Sequence, residues 1–364
     1  MGNTSEQLQS KVISLLRFPL IVGVVLIHTQ INTINNIEGD PSAAYPFDGA
    51  FPLYESVFYL FAQILTRVSV PLFFMFSGFL FFYKTKEFTF HVYISKIKKR
   101  VRTLLVPYLF WNILFIVFYN LVGFLLPGAT ESIIGEGYAF NDWLALLWDR
   151  DNTTFPISYQ LWFIRDLMVV VLFTPFIYWL NKKLDYLFSL FLGLLWMTGW
   201  WFNVVGLGID ALFFFTLGAY FSISNKNFVD VVKPYSVFLI TLYFVLVITT
   251  FSVKSFDWVV YFKRISIMVG AACTIAWSAK YIERGKWTVN KYLSESSFFV
   301  YAYHIIALPI IRRVLFFVIP CTTSIRATIL YFLWATITVI VGLALYHFFK
   351  KLLPRAIAFV TGGR

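Results

Sequence analysis

Apolar runs separated by short polar breaks occupy almost the whole chain. A helix that crosses a bilayer needs roughly 20 mostly apolar residues. Runs of about that length fall at about 12–31, 57–83, 102–127, 160–180, 184–202, 209–224, 235–252, 258–281, 295–318 and 326–349. The sixth is short, and losing the fifth and sixth together would leave the orientation of the others unchanged. The pattern predicts an all-α polytopic membrane helix bundle of about ten transmembrane helices spanning 12–349. An N-terminal segment 1–11 and a C-terminal tail 350–364 flank it. One link is long, 128–160, and it has room for a short surface helix around Asn141–Trp148. It suits a lid or acceptor-binding surface as well as a plain solvated connector. No internal repeat or low-complexity tract interrupts the series.

Composition agrees with a body bathed in lipid. The chain is 59% hydrophobic and 13% charged, about half the charged fraction of a soluble domain, with mean hydropathy +0.75. The net charge of +12 would suit nucleic acid, but its distribution argues against that partner. Lys11 and Arg17, the run Lys84–Arg102, Lys182 with Lys183, Lys226 with Lys233, Lys280–Lys291 and Lys350–Arg364 all fall on alternate links. The intervening links carry Glu38, Asp40, Asp48, Glu55, Glu131, Glu136, Asp142, Asp149 and Asp151, with few cations. Cytoplasmic loops gather Lys and Arg, so both termini are expected inside and the span count even. Cys273 and Cys321 stand alone, without the spacing of a metal site or a disulfide framework. The first apolar run lacks a small-residue cleavage pattern and carries Arg17 and His28, so it reads as a retained helix.

Ionisable groups inside apolar spans cost about 2.5–3.5 kcal/mol each on insertion scales, which makes each a functional candidate. Arg17 and His28 are eleven residues apart. At about 100° and 1.5 Å per residue they share one helix face, roughly 16 Å apart along the axis. Arg17 then lies near the cytoplasmic headgroups and His28 deep in the slab, where an imidazole can take up a proton near neutral pH. A hydrogen-bonded packing histidine with a snorkelling arginine is the competing reading. Arg67 lies inside the second span, and His304 enters the ninth span to about the depth of His28, so the two histidines could frame one polar chamber. Trp162 and Arg165 open the fourth span, where Arg165 could bind substrate or simply pair with Asp166. Arg312 and Arg313 lie further out on the ninth span, one suited to an acceptor and the other to headgroups. Lys98, Lys99, Arg100 and Arg102 form the densest basic run, suited to anionic lipid and to the phosphates of a coenzyme-A head. No metal is required. Intramembrane His, Arg and Asp with proline-broken helices also suit a secondary transporter or flippase for a saccharide or anionic solute. Related halves with matching interruptions are missing, however. A scaffold whose polar groups only join helices is the blandest alternative.

Taken in order, the motifs resemble the acyltransferase-3 family of integral membrane O-acyltransferases. Arg17, ten residues, then His28 is similar to its first-helix signature. Val70-Pro71-Leu72-Phe73-Phe74-Met75-Phe76-Ser77-Gly78-Phe79-Leu80 resembles its second-helix PxFFxxSGxL stretch, preceded by Arg67. Lys99–Tyr108 is similar to its basic run before PY, and Tyr159-Gln160-Leu161-Trp162-Phe163 to its LWF motif. Phe214–Gly218 resembles FFxLG, and Ser296–His304 resembles SxxxYxxH. The resemblance implies transfer of an acyl group, usually acetyl in the family, from cytoplasmic acyl-CoA (acetyl-CoA) to a hydroxyl of a cell-surface or lipid-linked glycan. It implies Arg17 and His28 as the essential pair. It also implies a stand-alone member without a fused esterase-like domain, placed in the bacterial cytoplasmic (inner) membrane.

Overall fold

The computed structural model describes residues 2–31, 49–125, 139–202 and 204–363, and every regular element among them is helical. Much of the expected outer loop and the acidic residues Glu38, Asp40, Asp48, Glu131 and Glu136 lie outside the described residues. The chain is a multi-pass membrane helix bundle. Among the described residues, seven helices are long and apolar enough to cross a bilayer, or eight if one bent pair counts as a single span. Helices occupy all ten expected positions, but three of those positions do not hold a straight, full-length span.

The first helix, α1 (Gly2–His28), is about 40 Å long at 1.5 Å per residue. The second span runs over Pro52–Phe82. It consists of α2 (Pro52–Phe58), a π-helical stretch Tyr59–Ile64, a tight 3-10 turn Leu65–Val68 and α3 (Ser69–Phe82). The third is α4 (Phe90–Arg100), a π-helical turn Val101–Leu105 and α5 (Val106–Leu125). A short helix, α6 (Phe140–Trp148), follows where the loop had room for one. The fourth span is broken: α7 (Trp162–Leu172) and α8 (Thr174–Leu184) meet at 64° across Phe173. Pro175 at the start of α8 is tolerated there because a first-turn amide has no helical acceptor. The fifth and sixth, α9 (Tyr186–Thr198) and α10 (Ile209–Ile223), have 13 and 15 residues, too few to cross. After α11 (Phe228–Val232) come four long helices and a short one: α12 (Ser236–Ser252), α13 (Val259–Glu283), α14 (Lys291–Val318), α15 (Ser324–Leu352) and α16 (Pro354–Val360).

Polar contacts gather the Lys- and Arg-rich links at one end of the bundle. Lys233 pairs with Glu283 at 2.7 Å and Lys350 with Glu295 at 2.6 Å. Ser224 donates to Asp185, which Lys226 also approaches, and Asn227 donates to Ser5. Tyr83 donates to Glu6, and Tyr93 to the Leu172 carbonyl. We call this the basic end. At the far end Ser324 Oγ accepts from the backbone of Leu53 and Tyr54. The segment after α15 folds back, with Trp111 donating its indole N–H to the Val360 carbonyl at 2.9 Å. Exposed Val237, Phe238, Phe244, Val245 and Ile248 give α12 a lipid-facing surface.

The tightest helix crossing joins α3 to α10. A Cβ added at Gly78 would lie 2.0 Å from the Phe215 carbonyl oxygen, and one added at Gly218 would lie 1.8 Å from that of Met75. In lipid, helices associate through such close backbone approach rather than through burial from water. The glycines of the PxFFxxSGxL and FFxLG strings therefore hold two helices together, and Phe74, Phe76, Phe214 and Phe215 are buried around the contact. Gly78→Leu or Gly218→Leu should push the helices apart, beyond the roughly 1–3 kcal/mol of ordinary overpacking. The expected result is loss of the monodisperse peak in detergent size-exclusion chromatography and a lower melting temperature.

Candidate active site

His28 is the last residue of α1, and the helix stops there inside the protein. The carbonyls left over at a buried helix end need donors. Thr29 Oγ1 donates to the Val25 carbonyl at 2.7 Å and Tyr331 donates to that of Leu26 at 3.1 Å. The chain leaves the helix with the Ile31 amide donating to Tyr54 Oη at 2.8 Å. The end of α1 is thus a built feature that presents one imidazole.

His304 lies on α14 directly beside it. The two rings have centroids 5.4 Å apart, and Tyr159 meets His28 edge-on at 5.0 Å. His304 is fully buried, whereas His28 is half-buried. His304 Nδ1 lies 2.5 Å from the Tyr301 carbonyl. A carbonyl only accepts, so Nδ1 carries the proton, and in the neutral ring Nε2 is left with a lone pair. Among the described residues, two buried ring nitrogens here lack a partner: His304 Nε2 and His28 Nδ1.

The loop carrying Tyr159 is locked to α14 at this level. Tyr301 Oη donates to the Gln160 carbonyl at 2.5 Å, and Gln160 Nε2 donates to that of Ala302 at 3.0 Å. Ser158 donates its hydroxyl to Gln160 Oε1 at 3.1 Å and its amide to Asn112 Oδ1 at 3.2 Å. All of these groups are buried, so backbone outside the α-helices, including the 3-10 turn Tyr159–Leu161, finds its partners within the protein. Tyr159, Gln160 and Tyr301 fall in the strings that resemble LWF and SxxxYxxH, but nothing in the sequence assigns them a role of their own. The available signal was a polar pair ahead of Leu161-Trp162-Phe163 and a tyrosine three residues before a buried histidine.

Arg67 sits in the 3-10 turn of the second span. Its Nε donates to the Ala62 carbonyl at 3.0 Å and its Nη2 to Gln63 Oε1 at 2.7 Å. The π-helical stretch before it leaves room for this wrap, and its charge reaches His28. The second-span arginine and both histidines therefore belong to one locale.

The other candidates are dispersed. Arg17 is half-buried, three turns nearer the basic end, and forms no ion pair among the described residues. Its neighbour Phe18 lines a cavity of about 550 Å³ with Ser14, Trp277, Trp287, Asn290 and Ser294. Lys98, Lys99 and Arg102 are exposed at the basic end, while Arg100 lies over the Phe81 ring at 5.6 Å. Arg312 covers Phe316 and Trp334 at 5.5 and 6.0 Å, towards the far end of α14, and Arg313 is exposed. Trp162 packs 6.2 Å from Phe74.

Arg165 takes the pairing that its neighbour offered. It forms a buried ion pair with Asp166 at 2.8 Å and donates to the carbonyls of Trp148 and Thr154 at 2.6 and 2.8 Å. The start of α7 thereby pins the segment that carries α6. Arg165→Leu should leave Asp166 buried and unpaired, a loss of about 3–5 kcal/mol, while Arg165→Leu with Asp166→Leu should recover much of it. Melting temperatures, with limited proteolysis between Asn141 and Ser158, check both.

A multi-pass helix bundle with a histidine pair at an internal helix end is the class of protein this architecture defines. The chain belongs to the acyltransferase-3 family: the family model described as "Acyltransferase domain" matches residues 11–347. It is also 29% identical over 170 residues to the "Succinoglycan biosynthesis protein ExoH" of Rhizobium meliloti (strain 1021). That match covers 45% of this chain and 40% of the relative, so the chain spans less than half the length of that protein. No solved structure matches.

Proposed function

We propose that this membrane acyltransferase moves an acetyl group from cytoplasmic acetyl-CoA to a hydroxyl of a cell-surface or lipid-linked glycan, in the cytoplasmic membrane of a bacterium. The carrying observation is the pair of buried, unpartnered nitrogens on two rings 5.4 Å apart. The relative's role in succinoglycan biosynthesis supports a polysaccharide acceptor. The concentration of Lys and Arg at one end of the bundle supports placing that end in the cytoplasm.

In this reading the coenzyme-A phosphates meet Lys98, Lys99, Arg100 and Arg102, and Arg17 guards the donor's route beside the cavity at Phe18. The acceptor arrives from the opposite face. His304, fixed as the Nδ1–H tautomer by the Tyr301 carbonyl, keeps a bare Nε2 beside the His28 ring, and in the working site a small approach of the two rings lets His28 Nδ1–H donate to it. That bond leaves the lone pair on His28 Nε2 as the base, the relation of nucleophile, base and orienting group found in catalytic triads. His28 removes the proton of the acceptor hydroxyl as its oxygen attacks the thioester carbonyl. Arg67 stabilises the developing oxyanion in a site with little water. The carbon–sulfur bond then breaks, the new ester leaves on the glycan, and the proton passes from His28 to the coenzyme-A thiolate. Transfer through an acyl-His28 intermediate uses the same groups.

General-base catalysis contributes about 10²–10⁴-fold, and His28→Ala should remove at least that much while the protein remains folded. His304→Ala should lose part of it. His304→Asn, whose carbonyl can still accept from His28 Nδ1–H, should retain more activity than His304→Ala. Arg17→Ala should chiefly raise the KM for acetyl-CoA. Purified protein, labelled acetyl-CoA and measurement of free coenzyme A with acylated glycan test all four. Full activity in His28→Ala would sink the assignment, and a transporter would release no coenzyme A at all.

A further inference from the structure

The end of the bundle opposite the basic end carries a small group of cations that orientation in a membrane does not call for. Lys254 lies in the link between α12 and α13, and Lys263 is one turn into α13. Both ammonium groups converge on one buried ring: Lys263 Nζ is 4.9 Å from the centroid of Tyr59, and Lys254 Nζ is 5.8 Å from it. Neither lysine forms an ion pair among the described residues, nor does the exposed Asp257 in the same link. Arg67 of the second span is a further cation, whose charge acts on both Lys263 and His28. Asp210 also lies within reach of Arg67, but it accepts from the Trp196 indole at 2.6 Å and faces Arg264 as well. Arg264 in turn donates to the Met197 carbonyl at 2.7 Å.

Lys254 and Lys263 therefore stand together at the rim above Tyr59, and the carboxylates of this region among the described residues are the exposed Asp257 and the already engaged Asp210. Like charges held this close repel each other, and a run of them in a partly desolvated cleft favours an incoming anion. A tyrosine face beneath two ammonium groups keeps them oriented without neutralising them. Loops on this side of a membrane are ordinarily poor in Lys and Arg, so anchoring in the bilayer does not account for them.

We propose that the acceptor entrance is selective for charge: the glycan that reaches His28 bears an anionic group, which Lys254 and Lys263 bind. That group is a carboxylate on the sugar or the diphosphate of a lipid carrier. The proposal rests on the reading of His28 as the reaction centre and of this face as the acceptor side, yet its test needs no turnover. Full-length protein in nanodiscs would be titrated with a glucuronate-bearing oligosaccharide, its carboxyl-reduced neutral form and a polyprenyl-diphosphate-linked sugar. We expect at least one anionic probe to bind about tenfold or more tighter than the neutral one. That preference should fall with added salt and disappear in Lys254→Gln/Lys263→Gln. Unchanged binding of acetyl-CoA to the double variant shows that it is folded. Binding by the sugar acid alone places the charge on the glycan, and binding by the diphosphate alone places it on the carrier. Equal affinity for charged and neutral probes, or a double variant that binds like wild type, would overturn the proposal. Selective binding without acyl transfer would instead leave it standing and remove the acyltransferase reading of His28.

Discussion

Backbone that stops part-way through an apolar slab must find every hydrogen-bond partner inside the protein, and the organisation of this bundle follows from that constraint. Helix α1 ends at His28, and α7, α9 and α10 are too short to cross. Each such end is an unpaired backbone group in a medium that supplies no water. The protein meets the demand with side chains. Thr29 and Tyr331 serve the end of α1, Gln160 and Tyr301 join the loop before α7 to α14, and Arg165 takes up the carbonyls of Trp148 and Thr154. Non-helical backbone at depth is tolerated where it is sealed by protein or lines a polar space, which is where chemistry on polar substrates can take place.

The imidazole pair draws its geometry from the same network. Tyr301 holds the loop with its phenol and His304 with its carbonyl, so one residue sets both the position of Tyr159 and the tautomer of His304. Arg67 owes its place to a local change in helical winding, a feature that recurs at functional sites. The glycine-mediated crossing of α3 and α10 lies beneath this arrangement as scaffold. Family motifs that look alike in sequence thus divide into two physical kinds. Some place polar groups around the internal end of α1, and others let helices touch.

The sequence made the bundle legible because the hydrophobic period and the Lys/Arg bias are strong, redundant signals. A helix stands at each of the ten expected positions, and a meeting of His28 with His304 was open to the sequence because equal depth on two helices permits it. The sixth run is short in the sequence, as α10 is in the fold, whereas the shortness of α9 and the 64° break after α7 were not readable. An apolar run reads the same whether it crosses the slab or ends half-way against other protein. Arg165 could not be assigned from sequence between substrate and Asp166, because the choice depends on where the Trp148 and Thr154 carbonyls fall. Tyr159 and Gln160 were invisible as site residues since their role comes from a loop docking on α14, a contact between positions more than a hundred residues apart in the chain.

The account turns on one proposed contact, a hydrogen bond that forms in the working enzyme from His28 Nδ1–H to the bare Nε2 of His304, two nitrogens that stand unpartnered here. Nitrogen-15 NMR of histidine-labelled protein, with the exposed His91 and His347 replaced by Gln, reads it directly. The account predicts a His304 ring protonated at Nδ1 alone and a nitrogen–nitrogen coupling between its Nε2 and His28 Nδ1. A His304 ring carrying its proton on Nε2, with no coupling to His28, would contradict it.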